Sequence, residues 1–324
     1  MGGRMSRVGR ILCVGTTPAL QRVMVFNSIT SNAVNRAVQT HEVPAGKSVN
    51  VAKVLHALGL SPAALGFLGG LRGGVIRSDL AMRGIETLFL ETDAPTRECV
   101  TVLDLKAQTQ TELVEESAPL PPALFGELLE LIKKHVGDCH AVVLSGTVAP
   151  GGPRDFYSRC VRIANDAGVL SVLDAQGAAL MESLPAGPGL VKPNRGELGL
   201  SVGTVLRNES DVCGAMRQLV EAGARQVVVT AGREPVIVFD GRTFWRITPP
   251  NVEVRNPIGS GDSFTAAMVA RMAGGDDFEE ACRWGAAAGS ANALTILPGE
   301  LDADVLRGLV KKVLLERLPG GTSC

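Results

Sequence analysis

The stretch of the chain best equipped for chemistry is Asn256-Pro257-Ile258-Gly259-Ser260-Gly261-Asp262-Ser263-Phe264-Thr265-Ala266-Ala267. Two glycines flank a serine, an aspartate follows, and an apolar helical pattern begins at once. Glycine reaches φ > 0 and lets the backbone approach a ligand closely. The first amides of the helix point outward unpaired, beside the positive end of its dipole. Such a place suits an anion, most often a phosphate. Two readings fit Asp262. It can cap the helix behind a Gly-rich turn. Alternatively, it takes the proton of a hydroxyl attacking a phosphoryl group held by the amides of Gly259, Ser260 and Gly261. The helix dipole is expected to keep its carboxylate ionised. A weak base suffices, because phosphoryl transfer depends chiefly on positioning and charge neutralisation.

Other candidates are scattered along the chain. Lys192-Pro193-Asn194-Arg195-Gly196-Glu197 places an amide and a carboxylate one turn apart at a helix start. That spacing also describes a helix cap with its reciprocal partner. Gly46-Lys47-Ser48 invites a P-loop reading, but the upstream glycine such a loop requires is His41. No G-x-G-x-x-G accompanies it. Arg97 opens an alternating run; its planar fork suits a phosphate, and a solvated strand arginine explains it equally. Ser145-Gly146 closes the apolar run Ala141-Val142-Val143-Leu144. Open α/β sheets bind ligands at that end of their strands.

The scaffold for these groups is large. The chain has 324 residues, 45% hydrophobic and 20% charged, enough for one big α/β domain or a domain with a smaller appendage. A formal net charge of −1 gives no electrostatic case for nucleic acid or an anionic membrane. Aromatics at 4% offer little for stacking bases. Seven cysteines lie far apart without a C-x-x-C, which argues for free thiols and a reducing, cytoplasmic setting. The four histidines show no metal-ligand spacing. Residues 1–10 are basic, but no apolar run of signal-peptide length follows. The uncharged stretches 57–71 and 285–299 are interrupted by Gly and Pro and do not read as membrane spans.

Residues 10–15 read as a buried strand. Residues 22–26 and 33–43 read as pieces of a small side sheet, which the hairpin 96–104 and 111–115 completes. Helices are expected at 51–58, 75–83, 123–136, 154–167, 209–221, 281–293 and 301–318. Strands are expected at 62–70, 86–90, 141–144, 170–173 and 226–230, with a hairpin of 235–239 and 243–247. The alternation is that of a doubly wound sheet.

These motifs, in this order, resemble the ribokinase-like (PfkB) sugar kinases over about residues 10–315, nearest the branch of 1-phosphofructokinase and tagatose-6-phosphate kinase. Gly259-Ser260-Gly261-Asp262 is similar to that family's Gly-Ala-Gly-Asp, which carries the anion hole and catalytic base. Ala45-Gly46-Lys47-Ser48-Val49-Asn50-Val51-Ala52 is similar to its Gly-Gly-Lys-Gly-x-Asn-x-Ala. The resemblance implies that Gly46 and Asn50 contact sugar and that Lys47, Arg97 and Ser145 hold phosphate. It implies that Lys192, Thr230, Gly232, Gly289 and Asn292 line the nucleotide site, with Gly259 and Gly261. Asn194 and Glu197 would support Mg²⁺ through water, since that ion keeps several of its waters. The implied fold is a three-layer α/β/α core with a mostly parallel sheet (10–20, 46–95 and 119–318) and a β-sheet lid (21–45 and 96–118). The lid is a place for homodimerisation. The implied reaction is ATP + phosphohexose → ADP + hexose bisphosphate. Where that branch carries Asn-Pro-Ala-x-Asp, this chain has Thr17-Pro18-Ala19-Leu20-Gln21, and Gln21 is neutral and donates as well as accepts. With Ala45, Ser48 and Cys99, it predicts an altered sugar pocket and weak activity on fructose 1-phosphate. The alternatives are a non-catalytic sugar-phosphate sensor on the same fold and a kinase for another sugar or a nucleoside.

Overall fold

A computed structural model describes residues 9–318. β1 (Arg10–Val14) is buried on both faces, as an inner strand of a parallel sheet must be. β2 (Ala19–Phe26), β3 (Gln39–Ala45), α1 (Lys47–Ala57), β4 (Pro62–Leu68), α2 (Gly70–Met82) and β5 (Glu86–Glu91) follow. β6 (Arg97–Asp104) and β7 (Thr109–Val114) form the expected hairpin. Helix and strand then alternate through α3 (Pro122–His135), β8 (Cys139–Ser145), α4 (Phe156–Asp166) and β9 (Leu170–Asp174). α5 (Gly177–Met181), β10 (Leu190–Val191), α6 (Arg195–Val202), α7 (Glu209–Glu221) and β11 (Val227–Ala231) come next. The hairpin β12 (Glu234–Phe239) and β13 (Phe244–Thr248) leads to α8 (Ser260–Ala273), α9 (Phe278–Ala293), α10 (Ala303–Val310) and β14 (Leu314–Arg317).

The central sheet has the order β14-β13-β12-β11-β10-β9-β8-β1-β4-β5. From β11 to β5 every neighbouring pair is parallel, and β12, β13 and β14 form an antiparallel edge. Alternation along the strands divides the core in two. Leu12, Val14, Val142 and Leu144 pack with Phe125 of α3, Tyr157 of α4 and Met216 of α7. Ile11, Cys13, Ala141 and Val143 pack with Val54 of α1, Ile76 of α2, Met268 of α8 and Ala287 of α9. This produces the three layers. The carboxyl ends of β1, β8, β9 and β10 bring Gly15, Ser145, Asp174 and Lys192 to one edge. The second sheet has the order β3-β2-β6-β7. Its Val23, Val25 and Leu103 pack on Ile296 and Leu297, just after α9, which anchors it beside that edge.

Three secondary-structure expectations fail. The helix expected at 301–318 stops at Val310, and Leu314–Arg317 pairs antiparallel with β13. The open edge of β13 offers unpaired backbone groups, and this pairing outweighs the helical spacing. α2 begins at Gly70 rather than at Val75; three early glycines hid its first turn, and Gly73 lies against Leu68, 3.1 Å from where a Cβ would sit. In the region 33–43 only the part from Gln39 onward is strand. Cys13, Cys99, Cys139, Cys160 and Cys282 are free, as expected, and buried; Cys213 is disulfide-bonded, which corrects the expectation of free thiols at that position, and Cys324 lies outside the described residues. No helix among the described residues is long and apolar enough to cross a membrane.

Candidate active site

The turn before α8 is held by buried amide side chains. Asn256 donates to the Ile296 carbonyl at 2.7 Å and accepts from the Ile258 amide at 3.1 Å. Asn292, fully buried in α9, donates to the Ile258 carbonyl at 2.9 Å and to Ser260 Oγ at 3.3 Å. It accepts from Ser263 Oγ at 3.2 Å and from the Gly299 amide at 2.9 Å. Gly289 lets α9 close on this turn: a Cβ there would lie 3.1 Å from the Ser260 carbonyl. Gly259 is the N-cap, with φ 84. The Ser260 amide folds back on Pro257 at 3.1 Å, while those of Gly261 and Asp262 have no acceptor among the described residues. Two unpaired amides at a helix start can take an anion.

Asp262 does not cap the helix. It is the third helical residue, its side chain makes no cap bond, and it is 7% exposed. Its Oδ2 accepts from Nδ2 of Asn50 in α1 at 2.7 Å. The expectation that the helix dipole sets its ionisation is also corrected. Burial, and then the negative charge of Asp174, push its pKa up to about 6 against Lys47, Asn50 and Lys192. Burial disfavours the charged form, and a like charge adds to it. At neutral pH the carboxylate is ionised and considerably more basic than an exposed one.

Asp174 is the residue the sequence did not single out. It closes β9, almost fully buried, and joins the candidates together. Its Oδ1 lies 2.8 Å from Lys47 Nζ, its Oδ2 lies 2.8 Å from Lys192 Nζ, and Thr265 of α8 donates to Oδ2 at 3.2 Å. Burial opposes its charge, but Lys192 and Lys47 prevail and hold it at about 2. Lys47 also meets Glu197 at 3.1 Å. Burial works against its ammonium, yet Asp174, Glu197 and Asp262 hold its pKa above the ordinary range. An Asp ending an apolar run at the carboxyl edge of a parallel sheet was the available signal.

The remaining candidates separate into groups. Lys192 is brought to the anion turn: its Nζ is 3.7 Å from where a Cβ of Gly261 would sit. Asn194 and Glu197 form a complete capping box on α6, with Asn194 Oδ1 accepting at 2.9 Å and Glu197 Oε2 at 2.8 Å. Glu197 Oε1 turns to Lys47, so the capping box still leaves its carboxylate facing the charged cluster. Thr230 bridges to Asn194, and Gly232 makes the turn after β11 with φ 63. Among the described residues, no three acidic, Cys or His side chains form a metal cage. Gly46 begins α1 with φ 99 and lies against Pro18. In the second sheet, Gln21 donates to Thr101 at 2.8 Å and is buried. Arg97 donates to the carbonyls of Thr17 at 3.1 Å and Glu115 at 3.3 Å. Asn50 Oδ1, Arg97 Nε and Ser145 Oγ are buried without a hydrogen-bond partner. Such orphans need an explanation, and all three belong to residues expected to meet substrate.

The turn tolerates no side chain at Gly259. A Cβ would sit 2.6 Å from the Gly299 amide, on a backbone at φ 84. Gly259→Ala is expected to cost roughly 1–3 kcal/mol of stability and to displace the two unpaired amides. A thermal melt with turnover on the same sample checks it; wild-type values for both refute it.

Comparison with known proteins gives a consistent set. The family described as pfkB family carbohydrate kinase matches residues 9–300. The 1-phosphofructokinase of Bacillus subtilis is 30% identical over 286 residues, covering 88% of this chain and 93% of that one. A tagatose-6-phosphate kinase of Staphylococcus epidermidis is 28% identical over 306 residues, covering 94% and 98%. The crystal structure of phosphofructokinase-2 from Escherichia coli in complex with potassium superposes with a TM-score of 0.87 at 28% identity, over 94% of this chain and 99% of that one. The large, mostly parallel sheet with a small second sheet agrees with the architecture that the sequence resemblance implied.

Proposed function

The chain belongs to the pfkB family of carbohydrate kinases and is a phosphotransferase with an alcohol acceptor. From that premise we propose that it transfers the γ-phosphoryl of ATP to a hydroxyl of a phosphorylated hexose, with Asp262 as base. The observation that carries this reading is a buried carboxylate at about 6, set beside two amides without acceptors and held by Asn50. The acceptor O–H bond breaks and its proton passes to Asp262. A new P–O bond forms as the bond from the γ-phosphorus to the bridging oxygen breaks, releasing ADP. The amides of Gly261 and Asp262, with Lys192, oppose the charge that develops on the transferred group. Lys47 is paired with Asp174 and Glu197, which leaves the third of its N–H donors for a phosphate.

The donor set fits Mg²⁺. Glu197 offers a hard carboxylate oxygen beside Asn194, and no protein cage competes with phosphate oxygens and water for the ion. When bound, the ion neutralises phosphate charge. On the substrate side, the unpartnered Arg97 Nε and Ser145 Oγ are the groups offered to a sugar phosphate, in keeping with the names of the relatives. Asn50 and Gly46 face the sugar. Gln21, spent on Thr101, replaces an acidic partner for its hydroxyls.

The test is ADP release with Mg-ATP across phosphorylated and free hexoses, pentoses and nucleosides. One phosphohexose is expected to stand above the rest, with fructose 1-phosphate poor because of Gln21. High efficiency on fructose 1-phosphate would refute that specificity reading. Turnover only on a free sugar or a nucleoside would remove the phosphosugar assignment. Thermal stabilisation by a sugar phosphate without any ADP would favour a sensor. A homodimer through the second sheet is also proposed. β7 is exposed along its whole length, with Leu113 and Val114 among its residues, and an open edge of that kind invites pairing. Sedimentation is expected to give a dimer that Leu113→Lys weakens; a monomer in the wild type ends this proposal.

A further inference from the structure

On α1, Val49, Val51, Ala52, Val54 and Leu55 are fully buried, and between them lies Lys53, itself only 3% exposed. An apolar residue would fill this position at lower cost, because a buried ammonium loses its water. The ammonium is therefore kept for what it touches. Its Nζ donates to the Pro298 carbonyl at 2.7 Å and to the Pro44 carbonyl at 3.2 Å, and lies 3.4 Å from Glu300 Oε1. Glu300 is shared with Arg83, just past the end of α2, at 2.7 Å, and Arg83 pairs in turn with Asp79.

The segment that Lys53 grips, residues 298–300, is a wedge. On one side a Cβ on Gly259 would strike the Gly299 amide at 2.6 Å. On the other, a Cβ on Gly299 would strike Cα of Asn50 at 2.9 Å. Gly299 thus separates the anion turn from the helix turn that presents Asn50 to Asp262, with no slack on either side. Pro44 is the penultimate residue of β3, an edge strand of the second sheet, two residues before Gly46.

We propose that Lys53 is a positioning residue for phosphoryl transfer. Its ammonium pins residues 298–300 between Gly259 and Asn50 and ties that wedge to the end of β3 at Pro44. Through the wedge it fixes the distance between the unpaired amides and the Asp262 carboxylate. It touches no substrate. Burial pushes its pKa down to about 8, against Glu300, so the ammonium is present at neutral pH with all its donors.

The inference rests on the assignment of Asp262 as base, and the experiment keeps the two apart. Lys53→Met, Lys53→Arg and Glu300→Gln are compared with wild type by steady-state kinetics and by amide hydrogen exchange at Gly299 and Asn50. Lys53→Met is expected to lower kcat by roughly 10–100-fold, with KM for ATP within about threefold, as for an interaction expressed in the transition state. Exchange at both amides is expected to accelerate about tenfold or more. Lys53→Arg keeps a charged donor and is expected to recover most of kcat and protection. Its acid limb should remain near the wild-type value, whereas that of Lys53→Met moves to higher pH as the Asn50 bond to the carboxylate loosens. Glu300→Gln, with its carboxylate partly exposed, gives the milder version of each change should Lys53→Met fold poorly. Unchanged kcat and exchange in Lys53→Met or Glu300→Gln overturn the inference, as does a lower melting temperature with normal kcat in the folded fraction. A wild type without phosphosugar turnover removes the proposed function, and the exchange measurements still decide the role of Lys53.

Discussion

Asp262→Asn is expected to lower kcat by roughly 10²–10⁴-fold, the range that a positioned general base contributes. Asparagine keeps the shape and can still pair with Asn50, so KM for both substrates should change little. The wild type should show kcat/KM rising with the ionised fraction of a group at about 6 and level above it; the mutant should lack that limb. Stability supplies an independent check. A carboxyl raised from 3.8 to about 6 binds more protons folded than unfolded between those values. Stability contributed by this group is therefore fully present below the lower value and declines as pH rises through the window. Two units correspond to about 3 kcal/mol, a cost the neutral amide escapes. Asp262→Asn should therefore melt higher than wild type at pH 7 and lose that advantage near pH 4. A kcat loss under tenfold, or an acid limb that persists in the mutant, would remove Asp262 from the role of base.

The sequence carried the anion turn well because its parts are contiguous. Two glycines, an aspartate and the helix that follows occupy neighbouring positions, and backbone geometry does the rest. The place of Asp262 at the anion turn was legible, but its ionisation was not. The Asn50 that holds it is 212 residues away, and the like charge that raises it belongs to Asp174, on another strand. Asp174 lies in Leu170-Ser171-Val172-Leu173-Asp174, where nothing local separates a charged hub from a strand end. Lys53 was hidden for the opposite reason. In a helical pattern it passes for a solvated position, and only the fold reveals that residues 298–300 cover it. The inner strands announced themselves through uninterrupted apolar runs such as Ala141-Val142-Val143-Leu144. β14 did not, because its pairing with β13 joins residues about seventy apart, as in Trp245 with Arg317.

Asp174→Ala should have the largest effect on stability. It leaves Lys192, almost without solvent, and Lys47 next to each other with no carboxylate between them. Breaking a buried pair by removing one partner costs about 3–5 kcal/mol. The wild type should show the matching pH dependence. A carboxyl lowered from 3.8 to about 2 contributes stability that is present above the higher value and is lost as pH falls through the lower. That window gives about 2 kcal/mol, and the alanine variant should show none of it. Asp174 also raises Asp262, so its removal should move the acid limb of kcat/KM to lower pH. Lower stability together with a more acidic base distinguishes a charge hub from a packing residue, which would change only the first. Adding Lys192→Met to Asp174→Ala should recover part of the lost stability, because a missing pair costs less than an orphaned charge. It should not recover kcat, because the cation beside Gly261 is then gone. If the double variant is no more stable than the single one, the two charges are not coupled as their 2.8 Å contact requires.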